Sequence, residues 1–423
     1  MATKIKDVIR NMKMPKLLST YEGFPRSIYI IFFSRIVNAM GSFIYPFLTL
    51  FLTEKLKLGA GTAGKFMLLT AVTSVPGALL GGKLSDKFGR KHIVIIFQGL
   101  AALFLIPCGF LKESMLIPWL LLLAFFFTSA ATPAYTAMTT DLTNASNRRN
   151  AFSLLYMGNN MGLAVGPLIA GFLYKNYISW IFWGNAISTF VSLILIGFFV
   201  EESIPHTEQF DNNNELLHHN EKAEKGNLFA VLLKRPALLA FAGITTIYTF
   251  VYAQHLFIIP MQVNQCFPDN GAKIFGTLMT TNALVVVFLT TPITNLTKKI
   301  RTTFNMVLSG ALYAVGFGML YFVNTYPLFI LSTIIWSTGE VLSSTNSGVY
   351  IASHTPITHR GRFNSVIPLL TGAGFALGPF LMGMFIQKTS IKTAWALLFI
   401  LAVFSTILMY ALNLSDKSKK LNN

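Results

Sequence analysis

Two ionisable residues stand inside long apolar stretches of this chain: Glu340, in Trp336-Ser337-Thr338-Gly339-Glu340, and Arg35, in Phe32-Phe33-Ser34-Arg35-Ile36. A charge in such a run is costly unless a partner, water or a ligand meets it, so both are functional candidates. A carboxylate can carry a proton or hold a cation; a guanidinium can pair with that carboxylate or take an anionic group. Weaker candidates are His255, a residue type that titrates near neutral pH, the amides Asn38, Gln254, Asn282, Asn159 and Asn160, and the aromatics Tyr45, Trp119, Tyr135, Tyr248, Tyr252 and Trp336. Aromatic rings could line a cavity and stack on a flat or cationic ligand. The competing readings are structural: a permanent Glu340–Arg35 ion pair, an ordinary hydrogen-bonded His255, amides that link helices (preferred for Asn159 and Asn160), and aromatics of an interfacial belt.

What must position these residues follows from composition. Of 423 residues, 53% are hydrophobic and only 12% charged. Soluble domains carry roughly 25% charged residues, so the chain reads as an integral membrane protein. Each span needs about 20 apolar residues. Twelve are predicted, over about 27–52, 62–82, 91–111, 116–139, 151–173, 178–200, 236–260, 271–294, 302–323, 327–351, 362–386 and 391–412. They form two groups of six, 27–200 and 236–412, joined by a polar linker, 201–235. Residues 1–26 form a basic segment with helical apolar spacing at Ile5, Val8, Ile9 and Met12, and 413–423 a polar tail. No removable signal peptide is expected. The side of both termini collects 24 Lys and Arg and the opposite side 8, which predicts cytoplasmic termini in a cell membrane. Glu340, 13 residues into the tenth span, then lies roughly 20 Å from the outer boundary and roughly 10 Å from the cytoplasmic one. Arg35 lies about 12 Å from that same boundary, so the two depths match.

Other chemistries find no support. The net charge of +17 sits in loops between apolar runs, which argues for topology signals and lipid contacts, not for nucleic acid as a partner. Cys108 and Cys266 are far apart and suit neither a metal nor a disulfide framework. There is no phosphate-binding loop, no metal-spaced His/Cys cluster and no nucleophile motif, so neither an enzyme nor a cofactor or metal is expected. The N-x-S/T triplets at Asn144, Asn295 and Asn413 fall on the cytoplasmic side and should stay unmodified.

The loop Gly81-Gly82-Lys83-Leu84-Ser85-Asp86-Lys87-Phe88-Gly89-Arg90-Lys91 crowds four cations and one acid between two spans. Its pattern, G-G-x-L-S-D-x-x-G-R-K, resembles the signature loop between helices two and three of the major facilitator superfamily. The resemblance implies twelve helices in two pseudo-symmetric six-helix bundles, alternating access, and a cavity lined by spans one, four, seven and ten. It also implies that Asp86 bridges to the start of span eleven, near Arg360-Gly361-Arg362, as a conformational latch with Gly82, Gly89 and Arg90. Arg90 would hold Asp86, with Arg148 a further candidate. The corresponding loop of the second half, Asn295 to Arg301, keeps cations but has no acid.

The halves also repeat. At a spacing of 212 residues, Arg148 matches Arg360, Ser153 matches Ser365, Gly162 matches Gly374, Ala164 matches Ala376, Gly166-Pro167 matches Gly378-Pro379, and Gly171 matches Gly383. Glycines four apart make a flat helix face and Pro167 bends it. Gly162 to Gly171 resembles the span-five motif of drug/proton antiporters, with Ala170-Gly171 where that family ends in Gly-Gly. The family's Arg-centred motif in span four is absent. The expected function is therefore proton-driven efflux of small lipophilic or cationic molecules, with Glu340 as proton or substrate site and Arg35 as its partner in one state of the cycle. The alternative is proton-coupled uptake of a polar nutrient such as a sugar or peptide, with Arg35 on a substrate carboxylate or phosphate. A monomer suffices for either, and sodium remains open as the coupling ion.

Overall fold

The computed structural model describes residues 21, 23–144, 147–203, 235–355 and 360–421, with their side chains except at 149, 352, 360–366, 368 and 417–421. The amphipathic helix expected near the N-terminus, most of the linker, and the side chains of Arg360 and Arg362 lie outside the described residues.

The described residues form twelve long helical spans and no strand. They are α1 Arg26–Lys55, α2 Ala60–Phe88, α3 Arg90–Leu111, α4 Ile117–Asp141, α5 Arg148–Leu173, α6 Ile178–Phe199, α7 Pro236–Cys266, α8 Gly271–Thr297, α9 Thr302–Tyr321, α10 Tyr326–Ser353, α11 Arg360–Lys388 and α12 Ile391–Leu421. Eleven are long and apolar enough to cross a membrane; α5, which carries Asn150, Asn159 and Asn160, is not among them. Helix satisfies every backbone group internally, which a hydrocarbon environment demands. Many hydroxyls obey the same demand: Thr139, Thr246 and Thr333 each donate to the carbonyl four residues back, at 2.8–2.9 Å.

Three elements differ from expectation. α12 continues past 412 to Leu421, because its polar end is tied down: Thr303 donates to Asn413 at 2.8 Å and Tyr350 to Asp416 at 3.1 Å. α1 is interrupted at Gly41–Phe43 and closes with a π-helical turn, Phe51–Lys55. α7 breaks at Ala253. Gly41 and Ala253 are 212 residues apart, so the two halves break their first helix at the same register. Interrupted helices at matching positions mark binding regions in membrane transporters.

The halves pack as two lobes, α1–α6 and α7–α12, meeting along α5 with α8, α2 with α11, and the far ends of α1 and α7. Small residues make the seams. A Cβ on Gly171 would lie 2.7 Å from the Ala272 carbonyl oxygen, and one on Gly276 would lie 2.5 Å from that of Pro167. The other seam repeats this at the same spacing: Gly383 packs on Ala60, and Gly64 on Pro379. The Thr49 hydroxyl donates to the Leu256 carbonyl and that of Thr280 to the Ala164 carbonyl, both at 2.7 Å. Lys175 pairs with Asp269 at 3.0 Å. Most of these contacts lie toward the face opposite the termini, where the lobes are closed.

Within each lobe the glycine faces of α5 and α11 pack on the first helix. Gly162 and Gly166 abut Ile36, Ala39 and Met40 of α1; Gly374 and Gly378 abut Thr246, Phe250 and Gln254 of α7. Such close backbone approach is how helices associate in lipid. Gly276→Val should therefore push the closed face apart. Pulsed EPR between spin labels at the exposed positions Tyr177 and Lys388 should show that distance lengthening by several ångströms in the variant. An unchanged distance distribution would mean that the seam does not depend on backbone contact.

Candidate functional site

Glu340 is half-buried on α10, one turn beyond Trp336. Its carboxylate accepts a 2.6 Å hydrogen bond from Asn282 Nδ2 of α8, and the same amide lies 3.0 Å from Ser337 Oγ. The Tyr252 hydroxyl, at the break of α7, reaches the same carboxylate. Tyr313 of α9 and, from the other lobe, Tyr156 of α5 lie within its electrostatic reach. Among the described residues Glu340 forms no ion pair. Among the described residues the two groups nearest the carboxylate, Asn282 and Tyr252, are uncharged and come from different helices.

Aromatic rings close around this acid. Tyr252 lies 5.9 Å from Tyr313, 6.0 Å from Trp336 and 6.3 Å from Phe375, centroid to centroid. His255 sits 4.3 Å from Tyr252 and 5.3 Å from Trp336. Rings beside a carboxylate suit a cation, which meets negative charge on one side and π faces on the others.

Arg35 stands apart from Glu340 in this state. Its guanidinium carbon lies 4.6 Å over the Tyr135 ring of α4, and its Nε is buried without a hydrogen-bond partner. Several other expectations need correction. Trp336 and Gln254 are fully buried and His255 is 6% exposed, so these three are packed inside the lobe and do not line an open cavity. His255, expected near the outer mouth, hydrogen-bonds the Tyr252 carbonyl at 2.6 Å because the break of α7 leaves that carbonyl free. Gln254 donates to the Phe250 carbonyl at 2.9 Å. Tyr252 stays half-buried. Asn38 does line a cavity, in the N-terminal lobe, and accepts from Thr189 at 3.1 Å.

The signature loop forms a basic hub on the face of the termini. Arg90 contacts Asp86 at 3.2 Å and Asp141 at the end of α4 at 3.0 Å. Arg148 forms no ion pair with this hub among the described residues; its guanidinium donates to the Thr140 and Thr143 carbonyls at 3.4 Å, at and just past the end of α4. Gly81 packs on Ala130, and Gly82 leaves 3.7 Å to Pro133. Gly89 has φ +100, a conformation that favours glycine, and a Cβ there would strike Glu202.

Glu202 and Asp141 were missed by sequence reasoning. Glu202 caps α3, accepting from the backbone amides of Arg90, Lys91 and His92 at 2.7, 3.2 and 3.4 Å, and from His92 Nδ1 at 2.9 Å. A carboxylate at a helix N-terminus is favoured by the exposed N–H groups and the helix dipole. Partial burial works against its charge, but the amides of Lys91, Ser203 and Arg90 and the His92 ring outweigh it and hold its carboxyl below the usual range. The available signal was an acid just beyond a span, on the side where α3 begins. Tyr313 and Tyr156 were missed because nothing separates them from the other aromatics without the fold.

The family model of the Major Facilitator Superfamily matches residues 31–272 and 263–423. The chain is 25% identical over 370 residues to an uncharacterized MFS-type transporter, YqjV, of Bacillus subtilis (strain 168), covering 84% of each. It is 24% identical over 376 residues to a Na(+), Li(+), K(+)/H(+) antiporter of Planococcus maritimus, covering 83% of this chain and 85% of that one. In fold it is similar to a crystal structure of a POT family transporter in complex with a thioalcohol conjugated peptide, with TM-score 0.75 and 14% identity, covering 93% of this chain and 97% of the other.

Because the folded Glu202 carboxyl is held below its ordinary value, its contribution to stability is present above the ordinary glutamate range and is lost as pH falls through the folded value. Glu202→Gln should lower the melting temperature of the purified protein near neutral pH. The gap to wild type should close as pH drops below about 4. A gap of equal size at every pH would show that the carboxylate charge does not cap α3.

Proposed function

The chain belongs to the major facilitator superfamily, and on that premise we propose that it exports small lipophilic or cationic molecules by alternating access, driven by protons moving the other way. The observation that carries this reading is the Glu340 carboxyl, which is met by Asn282 and Tyr252 and by no cation among the described residues. A proton and an organic cation satisfy the same carboxyl group and exclude each other. That exclusion is what couples two opposed flows in one site. The Tyr252 ring, half-buried beside the carboxyl, gives a cation a further contact.

The two lobes supply the motion. Their seams rest on glycines and on backbone contacts that repeat at the same register, so one lobe can rock on the other about the bound site. Tyr156 of the opposite lobe lies within the electrostatic reach of Glu340, which gives the state of that carboxyl a means to bias the closure. The surplus of Lys and Arg on the side of the termini, 24 against 8, supports termini in the cytoplasm and a plasma or inner membrane location. On that orientation the lobes of this structure are closed on the outer face. The chain contains both lobes, so a monomer suffices.

A specific observation favours a second reading. The buried Arg35 Nε has no hydrogen-bond partner, and an anionic group of a polar nutrient would supply one. Arg35 would then hold a substrate carboxylate or phosphate in proton-coupled uptake.

Inside-out vesicles containing the protein, energised by an imposed proton gradient, separate the readings. They should accumulate fluorescent lipophilic cations, and Glu340→Gln should reduce that accumulation at least tenfold, about 1.4 kcal/mol. Unchanged accumulation in the variant would remove Glu340 from the coupling path. Uptake of anionic solutes by right-side-out vesicles, lost in Arg35→Gln, would favour the second reading.

A further inference from the structure

The N-terminal lobe holds a cavity of about 410 Å³ between α1, α3, α4, α5 and α6, a volume within the range of small-molecule sites. Its origin lies in the repeat. At the 212-residue spacing, Ala101, Leu105, Ala124 and Thr128 stand where the C-terminal lobe has Tyr313, Phe317, Trp336 and Glu340. Two of the three rings that fill the second lobe are alanines in the first and the third is a leucine, and all four of these first-lobe residues line the cavity. One lobe is packed and acidic at this register; the other is hollow and uncharged.

The hollow is furnished with amides. Gln98 is 7% exposed, and it lines the cavity with Asn38, Asn159 and Asn185. Among the described residues the side-chain amides of Gln98, Asn159 and Asn185 make no hydrogen bond. The polar atoms of these amides keep accessible surface, so each can exchange hydrogen bonds with an occupant of the cavity. No acidic or basic side chain lines the cavity, and a charged group entering it would lose its hydration with no counter-charge. The fitting occupant is therefore uncharged and carries both donors and acceptors. A route into the cavity is also present. Tyr45, Phe125 and Ser129 also line a second cavity of about 500 Å³ between the lobes, whose wall includes Phe375. Phe375 belongs to the ring cluster beside Glu340. Tyr45 and Phe125 meet edge to face at 5.9 Å, forming the partition between the two spaces.

We propose that the cavity around Gln98 is a binding subsite for an uncharged, hydrogen-bonding group of the transported molecule, a hydroxyl or carboxamide, reached past the Tyr45–Phe125 pair. This rests on the transport reading above in taking the occupant to be part of the cargo. Its amides exchange donors and acceptors with that group, while apolar walls from Ala101, Leu105 and Ala124 hold its carbon frame.

Equilibrium binding to the purified full-length protein tests this with two probes: tritiated panthenol, an uncharged amide with three hydroxyls, and tetraphenylphosphonium, a cation with no hydrogen-bonding group. Panthenol should bind saturably, and Gln98→Leu and Ala124→Phe should each weaken it tenfold or more. Tetraphenylphosphonium should bind Gln98→Leu as it binds wild type, which also reports that the variant is folded. Glu340→Gln should show the reverse pattern, with panthenol retained and tetraphenylphosphonium lost. No saturable panthenol binding to wild type, the behaviour of a cavity that holds water alone, would overturn the proposal. So would panthenol binding that neither variant changes. Panthenol behaviour as expected, with tetraphenylphosphonium indifferent to Glu340→Gln, would support the subsite and count against the cation reading of Glu340 alone.

Discussion

A carboxyl group carried on a helix that crosses hydrocarbon must bring its own partners, and the C-terminal lobe is organised around meeting that need at Glu340. Asn282 from α8 donates directly, Tyr252 reaches in where α7 breaks, and Tyr313, Trp336 and Phe375 close the surroundings with rings. The break at Ala253 serves the same end. It turns the second part of α7 so that Tyr252 and His255 can stack while the His255 ring takes up the carbonyl freed at Tyr252. None of these partners is charged. Among the described residues the site lacks a positive group, and on the proposed reading a proton or a cation supplies it.

The second constraint is duplication. Breaks at Gly41 and Ala253, seams at Gly276 on Pro167 and Gly64 on Pro379, and glycine faces on α5 and α11 all fall at one spacing. The backbone of the two lobes thus kept the same plan while their interiors diverged. Tyr313 and Trp336 fill one lobe; Ala101 and Ala124 leave the other hollow. The same asymmetry holds on the face of the termini, where the hub of Asp86, Arg90 and Asp141 corresponds in sequence to a second-half loop with cations and no acid.

Most of the architecture was legible in the sequence, for physical reasons. Long apolar runs can only be helices in lipid, so the twelve spans and their division into two groups of six were readable, as was the repeat from Gly162-Gly166-Pro167 to Gly374-Gly378-Pro379. Glu340 stood out because an acid in such a run is rare, and Arg90 beside Asp86 follows from their spacing of four. What failed to show was contact between helices distant in sequence. Nothing in the chain ties Asp141 to Arg90, Glu202 to the start of α3, or Tyr252 to Glu340. Burial was equally hidden: Trp336, Gln254 and His255 read as cavity residues because an amide or a ring on an apolar helix looks alike whether it packs or binds. The hollow in the N-terminal lobe appears only when the two halves are compared inside the fold, since an alanine carries no signal until its counterpart is seen to be a ring.

The central claim is that Glu340 holds a proton or a cation, never both. Titrating purified wild-type protein with tetraphenylphosphonium in lightly buffered solution, at a pH where the site is protonated, measures this directly through the protons set free. Close to one proton should leave per cation bound, and Glu340→Gln should release none. Cation binding without proton release, or equal release from the variant, would contradict the account.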